Sequence, residues 1–403
     1  MAQRLVIIGA GFAGMYAALS AARLRDVSRV SVRDLEIALV APEPELVVRP
    51  RLYEPNPEKV TAPLGDVLRA IDVGYVQGMA DTIDTGGCAI EIVSANGSRR
   101  TMTYDRLVLA TGSRLFRPAI PGLGEHGFSV DQLEDAVALD RHLHGLTARP
   151  PSEARNTVIV AGGGLTGIEV AAEMPARLRK ILGQDADIRV IIVERNPAIG
   201  PDMTAEARTI VEKALHDFGI ATRLGAGIVA LDNSGVTLSD GARIESETVI
   251  WVGGLRAAPL TVQIPGERDE LGRLLVDREL RVPRSSGVFA AGDACKAACD
   301  DLGNYTLMTG QHAARLGAFA GNNAVAELLG LPTRHYHQKT YVTCLDLGEA
   351  GALFTRGWNR TVELVGEEAK KLKRQINTIW IYPPPPTRAA ALASADPERV
   401  IDL

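Results

Sequence analysis

The chain carries the pattern Gly9-Ala10-Gly11-Phe12-Ala13-Gly14 and, about 150 residues later, Gly162-Gly163-Gly164-Leu165-Thr166-Gly167. In such a pattern the first glycine allows a tight turn. The second lets a pyrophosphate approach the backbone, and the third lets helix and strand pack closely. The free N–H groups of the helix start then face phosphate, and the helix dipole favours its charge. One copy is a weak signal. Two copies predict that the protein holds two dinucleotides at once, an arrangement suited to passing electrons between them.

A dinucleotide-binding unit also needs an acid about 20 residues or more downstream, at the end of its second strand, to accept ribose hydroxyls. After the second pattern the apolar run Ile188 to Val193 ends at Glu194, which takes that part. Its charge repels a 2′-phosphate and favours NADH over NADPH. Arg195 beside it pulls the other way. In the first unit the run Leu35 to Val40 ends in Ala41-Pro42, and Glu43 is the nearest carboxylate. Either Glu43 reaches the ribose, or backbone and water do and Glu43 is a solvated loop charge.

The thiols and imidazoles offer less. Cys88, Cys295, Cys299 and Cys344 contain no Cys-x-x-Cys pair, a poor fit to disulfide chemistry. On a helix Cys295 and Cys299 would share a face, with Cys295 activated by the helix start; buried inert thiols are the preferred reading. His335 and His337 alternate as on a strand, and no metal-ligand set forms around them.

Both glycine patterns follow an apolar strand (Leu5 to Ile8; Thr157 to Ala161) and open a helical run (Phe12 to Leu24; Leu165 to Ile181). Leu5 to Ala22 holds no charged residue. Its glycines break it into a buried strand and a buried helix and argue against a membrane span. With no basic leader before it, the cytoplasm is the expected compartment. The chain has 403 residues, 46% of them hydrophobic and 23% charged, and a net charge of −5. That is an ordinary globular composition, and no basic field points to nucleic acid.

Tyr104-Asp105-Arg106-Leu107-Val108-Leu109-Ala110-Thr111-Gly112 and Val288-Phe289-Ala290-Ala291-Gly292-Asp293-Ala294 are strands ending in Ala-Thr-Gly and Gly-Asp. With the two glycine patterns they resemble the flavoproteins with two dinucleotide-binding domains, which include pyridine-nucleotide disulfide oxidoreductases and ferredoxin reductases. Within that family the chain is most similar to type II NADH dehydrogenases. The further matches are Arg49-Pro50-Arg51-Leu52-Tyr53-Glu54, Gly167-Ile168-Glu169 and Val249-Ile250-Trp251-Val252-Gly253-Gly254-Leu255-Arg256-Ala257. The resemblance spans roughly residues 4 to 355.

It implies FAD and NADH as cofactors. Gly9, Gly11, Gly14, Glu43, Arg49, Thr111, Gly112, Gly292 and Asp293 fall on the FAD side, with Asp293 at the ribityl or pyrophosphate end. Gly162, Gly164, Gly167, Glu194 and Gly253 fall on the NADH side, with Glu169 orienting the nicotinamide. The implied fold is α/β, with two Rossmann-like domains. Residues 1–118 and 267–330 form an FAD-binding domain, split by an NADH-binding domain with its crossover at 119–266. Residues 331–403 form a small C-terminal α+β region covering the acceptor side. In the crossover, Asp131-Gln132-Leu133-Glu134-Asp135 should start a helix by placing acids at its N-terminus.

Two segments depart from the family. Its quinone motif, Ala-Gln-x-Ala-x-Gln, is matched by Gly310-Gln311-His312-Ala313-Ala314-Arg315. Gln311 and Arg315 are the acceptor-side candidates, and an arginine there suits an acidic or strongly hydrogen-bonding acceptor. In the tail, Trp358, Val362, Val365, Ala369, Leu372, Ile376 and Ile379 form one helical stripe. Glu367, Glu368, Lys370, Lys371, Lys373 and Arg374 occupy the other face. Through residues 358–382 this stripe would dock on the protein body, on a second subunit in a homodimer, or on a membrane surface, with docking preferred. Val362 to Val365 also reads as a strand edge.

The expected function is hydride transfer from NADH to FAD, then two electrons to an acceptor, first of all a quinone, at the cytoplasm or the cytoplasmic membrane face. Two alternatives stay open. One is a soluble reductase of a ferredoxin-like protein or small aromatic compound. The other is a redox-sensing FAD- and NADH-binding interaction protein.

Overall fold

The computed structural model describes residues 2–399. The elements that position the site begin with β1 (Gln3–Ile8), α1 (Phe12–Val27), β2 (Leu35–Ala41), β3 (Gly74–Gln77) and β4 (Arg106–Leu109). Next come β5 (Gly127–Phe128), β6 (Thr157–Ala161), α2 (Leu165–Leu182), β7 (Arg189–Glu194), β8 (Ala221–Leu224) and β9 (Thr248–Trp251). The chain then forms β10 (Val288–Ala290), α3 (Gly310–Leu328), β11 (Val342–Asp346), β12 (Ala352–Arg356), β13 (Thr361–Gly366) and α4 (Glu367–Gln375).

Two parallel sheets organise the chain. The first runs β10-β4-β1-β2-β3, with Ile7 opposite both Leu39 and Val108. The second runs β5-β9-β6-β7-β8. The chain leaves the first sheet after β4 and returns to it at β10. Leu5, Val6 and Ile7 are fully buried, as strands covered on both faces must be. The uncharged run from Leu5 is therefore a core strand and helix. Among the described residues no helix is long and apolar enough to cross a membrane.

Small residues let α1 and α3 approach closely. A Cβ on Gly317 would lie 2.1 Å from the Ala13 carbonyl oxygen, and one on Gly321 would lie 2.1 Å from that of Ala17. This contact seats the start of α3, with Gln311, beside the first glycine turn.

The structure corrects several expectations. The tail stripe is not one helix: Val362 to Val365 lie in β13, the edge of the antiparallel sheet β11-β12-β13. Gly366, at φ 72°, ends the strand before α4 begins, and a π-helical turn, Ile376–Trp380, follows. Cys295 lies on a two-residue strand and Cys299 beyond it, so they share no helix. Burial pushes both thiols up, Cys299 to about 12, which makes them inert. His335 and His337 lie in a segment without regular secondary structure. The crossover helix does start within its expected segment, at Leu133, with Glu134 and Asp135 in its first turn and Asp131 just ahead of it.

Candidate functional site

Both glycine turns have the same geometry. Gly9 (φ 111°) and Gly162 (φ 126°) occupy a backbone region that side chains disfavour. A Cβ on Gly14 would sit 1.8 Å from the Gly9 carbonyl oxygen, and one on Gly167 would sit 1.9 Å from that of Gly162. Around Gly11 and Gly164 a Cβ would meet nothing within 4 Å. Neither α1 nor α2 has a side-chain cap or an acid in its first turn. Each helix therefore presents uncapped N–H donors to an open cradle, which suits a pyrophosphate.

Glu194 closes the second cradle from the end of β7 and is 7% exposed. Its carboxylate accepts from the Gly163 N–H at 2.7 Å and from the Asn196 N–H and side-chain amide at 2.8 and 2.6 Å. Glu43 lies exposed on the loop after β2, near Tyr75, whose hydroxyl donates to the Ala41 carbonyl at 2.9 Å. Gly253 is covered by the Trp251 indole, 2.6 Å from where a Cβ would stand. That indole donates to the Phe116 carbonyl at 2.9 Å.

Beside the first cradle four polar side chains converge. Asp293 follows β10 and accepts from Ser113 Oγ at 2.6 Å. Arg49 lies 3.5 Å from Asp293, donates to Ser113 Oγ at 3.2 Å and pairs with Asp131. Burial pushes the Asp293 carboxyl up, against the pull of Arg49. Thr111 Oγ1 is buried with no hydrogen-bond partner, an orphan that a ligand group would satisfy. Gly112 (φ 68°) has open space where its Cβ would be, whereas a Cβ on Gly292 would meet Ala13 at 2.8 Å. The open cradle and the orphaned Thr111 hydroxyl fit a flavin dinucleotide. Sequence reasoning missed Ser113 and read Asp131 only as a helix-start acid, because isolated polar residues carry no spacing signal.

The second constellation lies on α2. Glu169 Oε1 accepts from Lys373 Nζ at 2.6 Å and from the Asp346 N–H at 3.0 Å. Lys373 also donates to the Cys344 carbonyl at 2.7 Å, and Lys370 reaches Asp346 at 2.5 Å. Burial holds the Glu169 carboxyl above the usual range, opposed by Lys373. Lys370 and Lys373, expected on the face opposite the apolar stripe, are thus turned inward. The helix begins at Glu367, out of phase with the long stripe.

Gln311 and Arg315 lie one turn apart on α3. Gln311 Oε1 accepts from the Val342 N–H at 3.4 Å. Arg315 donates to the carbonyls of His337 (2.8 Å) and Arg399 (3.3 Å), and its guanidinium lies 5.3 Å from the Phe319 ring centre. A third contact, 3.2 Å to the His337 ring, makes Arg315 a tie to the segment after α3.

The pyridine nucleotide-disulphide oxidoreductase family matches residues 3–317. The chain belongs to that family. An NADH dehydrogenase-like protein of Mycobacterium tuberculosis is 44% identical over 397 residues, 98% of each chain. A type II NADH:quinone oxidoreductase of Staphylococcus saprophyticus is 22% identical over 94% of this chain and 95% of that one. The structure of NDH2 from Plasmodium falciparum in complex with NADH shares the fold, with a TM-score of 0.78, 16% identity and 98% coverage of both chains. The protein is an FAD-dependent oxidoreductase that uses NADH. Despite the family's title, its four cysteines are free and unpaired.

Proposed function

We propose that the protein oxidises NADH and reduces a quinone: NADH, a quinone and one proton give NAD⁺ and the quinol. FAD, when bound, supplies the two-electron carrier between the two half-reactions. What supports this most directly is one observation: the same open glycine turn recurs at the carboxyl ends of two parallel sheets. The name of the Staphylococcus relative supports the quinone.

The chain's own part is binding and orientation. Residues 1–118 and 267–330 hold FAD and residues 119–266 hold NADH. The N–H groups at Gly11 and Gly164 cradle the two pyrophosphates. Asp293, fixed by Ser113 and Arg49, accepts from a flavin-chain hydroxyl, and Thr111 supplies another polar contact. Glu194 holds the Gly163 turn while accepting from the adenosine ribose. Glu169, clamped by Lys373, orients the nicotinamide, and Gln311 flanks the acceptor side. Such positioning is where the protein's contribution to rate lies.

A lipid-borne quinone would be met at the cytoplasmic membrane face. Val365 and Ile379 are exposed at the tail, although Tyr382 is tied to Arg51 at 2.8 Å. The same strip would seal a homodimer; flotation with lipid vesicles and the solution mass separate the two. The chemistry is tested by reducing the holoenzyme with NADH without oxygen, then adding quinones or a ferredoxin. Fast reoxidation by quinone supports the reading. Reoxidation by ferredoxin alone, or by neither, refutes it.

A further inference from the structure

A cavity of about 360 Å³ is lined by Arg273, Lys296, Tyr305, Tyr341, Trp358 and Arg360 together with neighbouring loop backbone. None of its lining residues belongs to either glycine cradle. Its size suits a small ligand of one or two rings. Lys296 stands three residues beyond Asp293, and the Tyr305 loop leads into α3.

Its lining is cationic: no carboxylate belongs to it, and the exposed Asp202 acts on Tyr341 from outside the lining. Arg273 is compensated: it donates to Asp269 at 2.8 Å and to the Thr306 carbonyl at 2.6 Å, which anchors the loop. Lys296 and Arg360 have no carboxylate partner among the described residues. Lys296 lies over the Tyr305 ring, 4.6 Å from its centre. Two uncompensated cations in a concave wall attract an anion.

The remaining wall is aromatic. Tyr341 and Trp358 stack with centres 5.3 Å apart and planes at 19°. The Trp358 indole N–H is buried with no hydrogen-bond partner. Behind both rings stands His312, edge-on at 5.2 and 5.7 Å. Its Nδ1 accepts from the Leu307 N–H at 3.3 Å, so its proton sits on Nε2, which is also buried and unpartnered. A buried donor without an acceptor is unfavourable, and a ligand oxygen at the indole would relieve that cost.

We propose that this cavity binds a small aromatic anion, one or two fused rings carrying a carboxylate or sulfonate. The ring lies on the Tyr341–Trp358 wall and the anionic group lies between Lys296 and Arg360. If the quinone reading above is right, the preferred acceptor is an acidic quinone; that consequence rests on the reading, whereas the binding does not.

The test uses oxidised holoenzyme and calorimetric titration with naphthalene-2-sulfonate and neutral 2-naphthalenemethanol. The sulfonate should bind at least about tenfold more tightly, the weight of one charge-assisted hydrogen bond. Lys296→Gln and Arg360→Gln should each erase most of that difference and leave the neutral probe unmoved. Flavin absorbance and circular dichroism confirm that the variants are folded. Equal binding of the two probes, no binding, or displacement of the sulfonate by NADH overturns the site. Turnover with 1,2-naphthoquinone-4-sulfonate against menadione then tests the acceptor. If the probe binds but neither quinone reoxidises the flavin, the quinone reading fails and the site stands. If quinones turn over but the probe does not bind, the site fails alone.

Discussion

Lys373 Nζ meets Glu169 Oε1 at 2.6 Å and joins α4 to α2, the helix that opens the second glycine cradle. Both side chains are buried, so removing one leaves an unpaired charge in a poorly solvated place. Lys373→Met should cost about 3–5 kcal/mol in urea unfolding. It should also raise the KM for NADH, because Glu169 loses its clamp. Glu169→Gln combined with Lys373→Met should recover most of the stability and none of the KM. Equal stability of Lys373→Met and the native protein would show that the pair carries no weight.

The glycines separate folding from binding. Gly14→Ala drives a Cβ against the Gly9 carbonyl and should yield unstable, colourless protein. Gly11→Ala meets nothing in the chain itself. It should leave the apoprotein's melting temperature unchanged and weaken FAD binding at least about tenfold, because only the pyrophosphate competes for that space. Fluorescence titration of apoprotein with FAD measures this, and unchanged affinity would contradict the cradle.

Glu194→Ser should narrow the preference for NADH over NADPH in kcat/KM. The Gly163 turn also loses its acceptor, so the KM for NADH itself should rise. An unchanged preference removes the proposed ribose contact.

A buried and a half-buried histidine, His312 and His142, set an acid sensitivity. Burial pushes His312 down to about 3 and His142 to about 4, with cations (Arg273 and Arg149) adding to it. Below 6.5 the unfolded chain binds protons that the folded one refuses. Their contribution is therefore complete above that pH and is lost as pH falls toward 4 and 3. His312, fully buried, is worth about 1.4 kcal/mol per pH unit inside its window, and His142, open to solvent on one side, is worth less. From pH 7 to 5 the unfolding free energy should drop by about 2 kcal/mol through His312, with a smaller share from His142, and His312→Asn should remove more than half of that slope.

Much of the site was legible because backbone demands leave a residue signature. A turn that admits only glycine, a strand buried on both faces and an acid at a strand end all have fixed spacing. Hence Gly9, Gly162, β1 and Glu194 were found from sequence. Long-range partnerships have none. Nothing in the spacing of Lys373 tells that it turns toward Glu169, some 200 residues earlier, or that Asp131 meets Arg49. The tail misled because the stripe ran across two elements of different period: Val362 and Val365, three apart, fall on opposite faces of a strand, and only the residues from Ala369 on lie on a helix. The glycine at 366, with its positive φ, was the break that the periodicity hid.

The most direct test mixes purified holoenzyme with NADH in a stopped-flow cell without oxygen, then adds menadione. Loss of the oxidised flavin absorption within seconds, followed by its rapid return on adding the quinone, is the predicted result. A colourless protein that takes up no FAD, or a flavin spectrum unmoved by NADH, would contradict the account at its root.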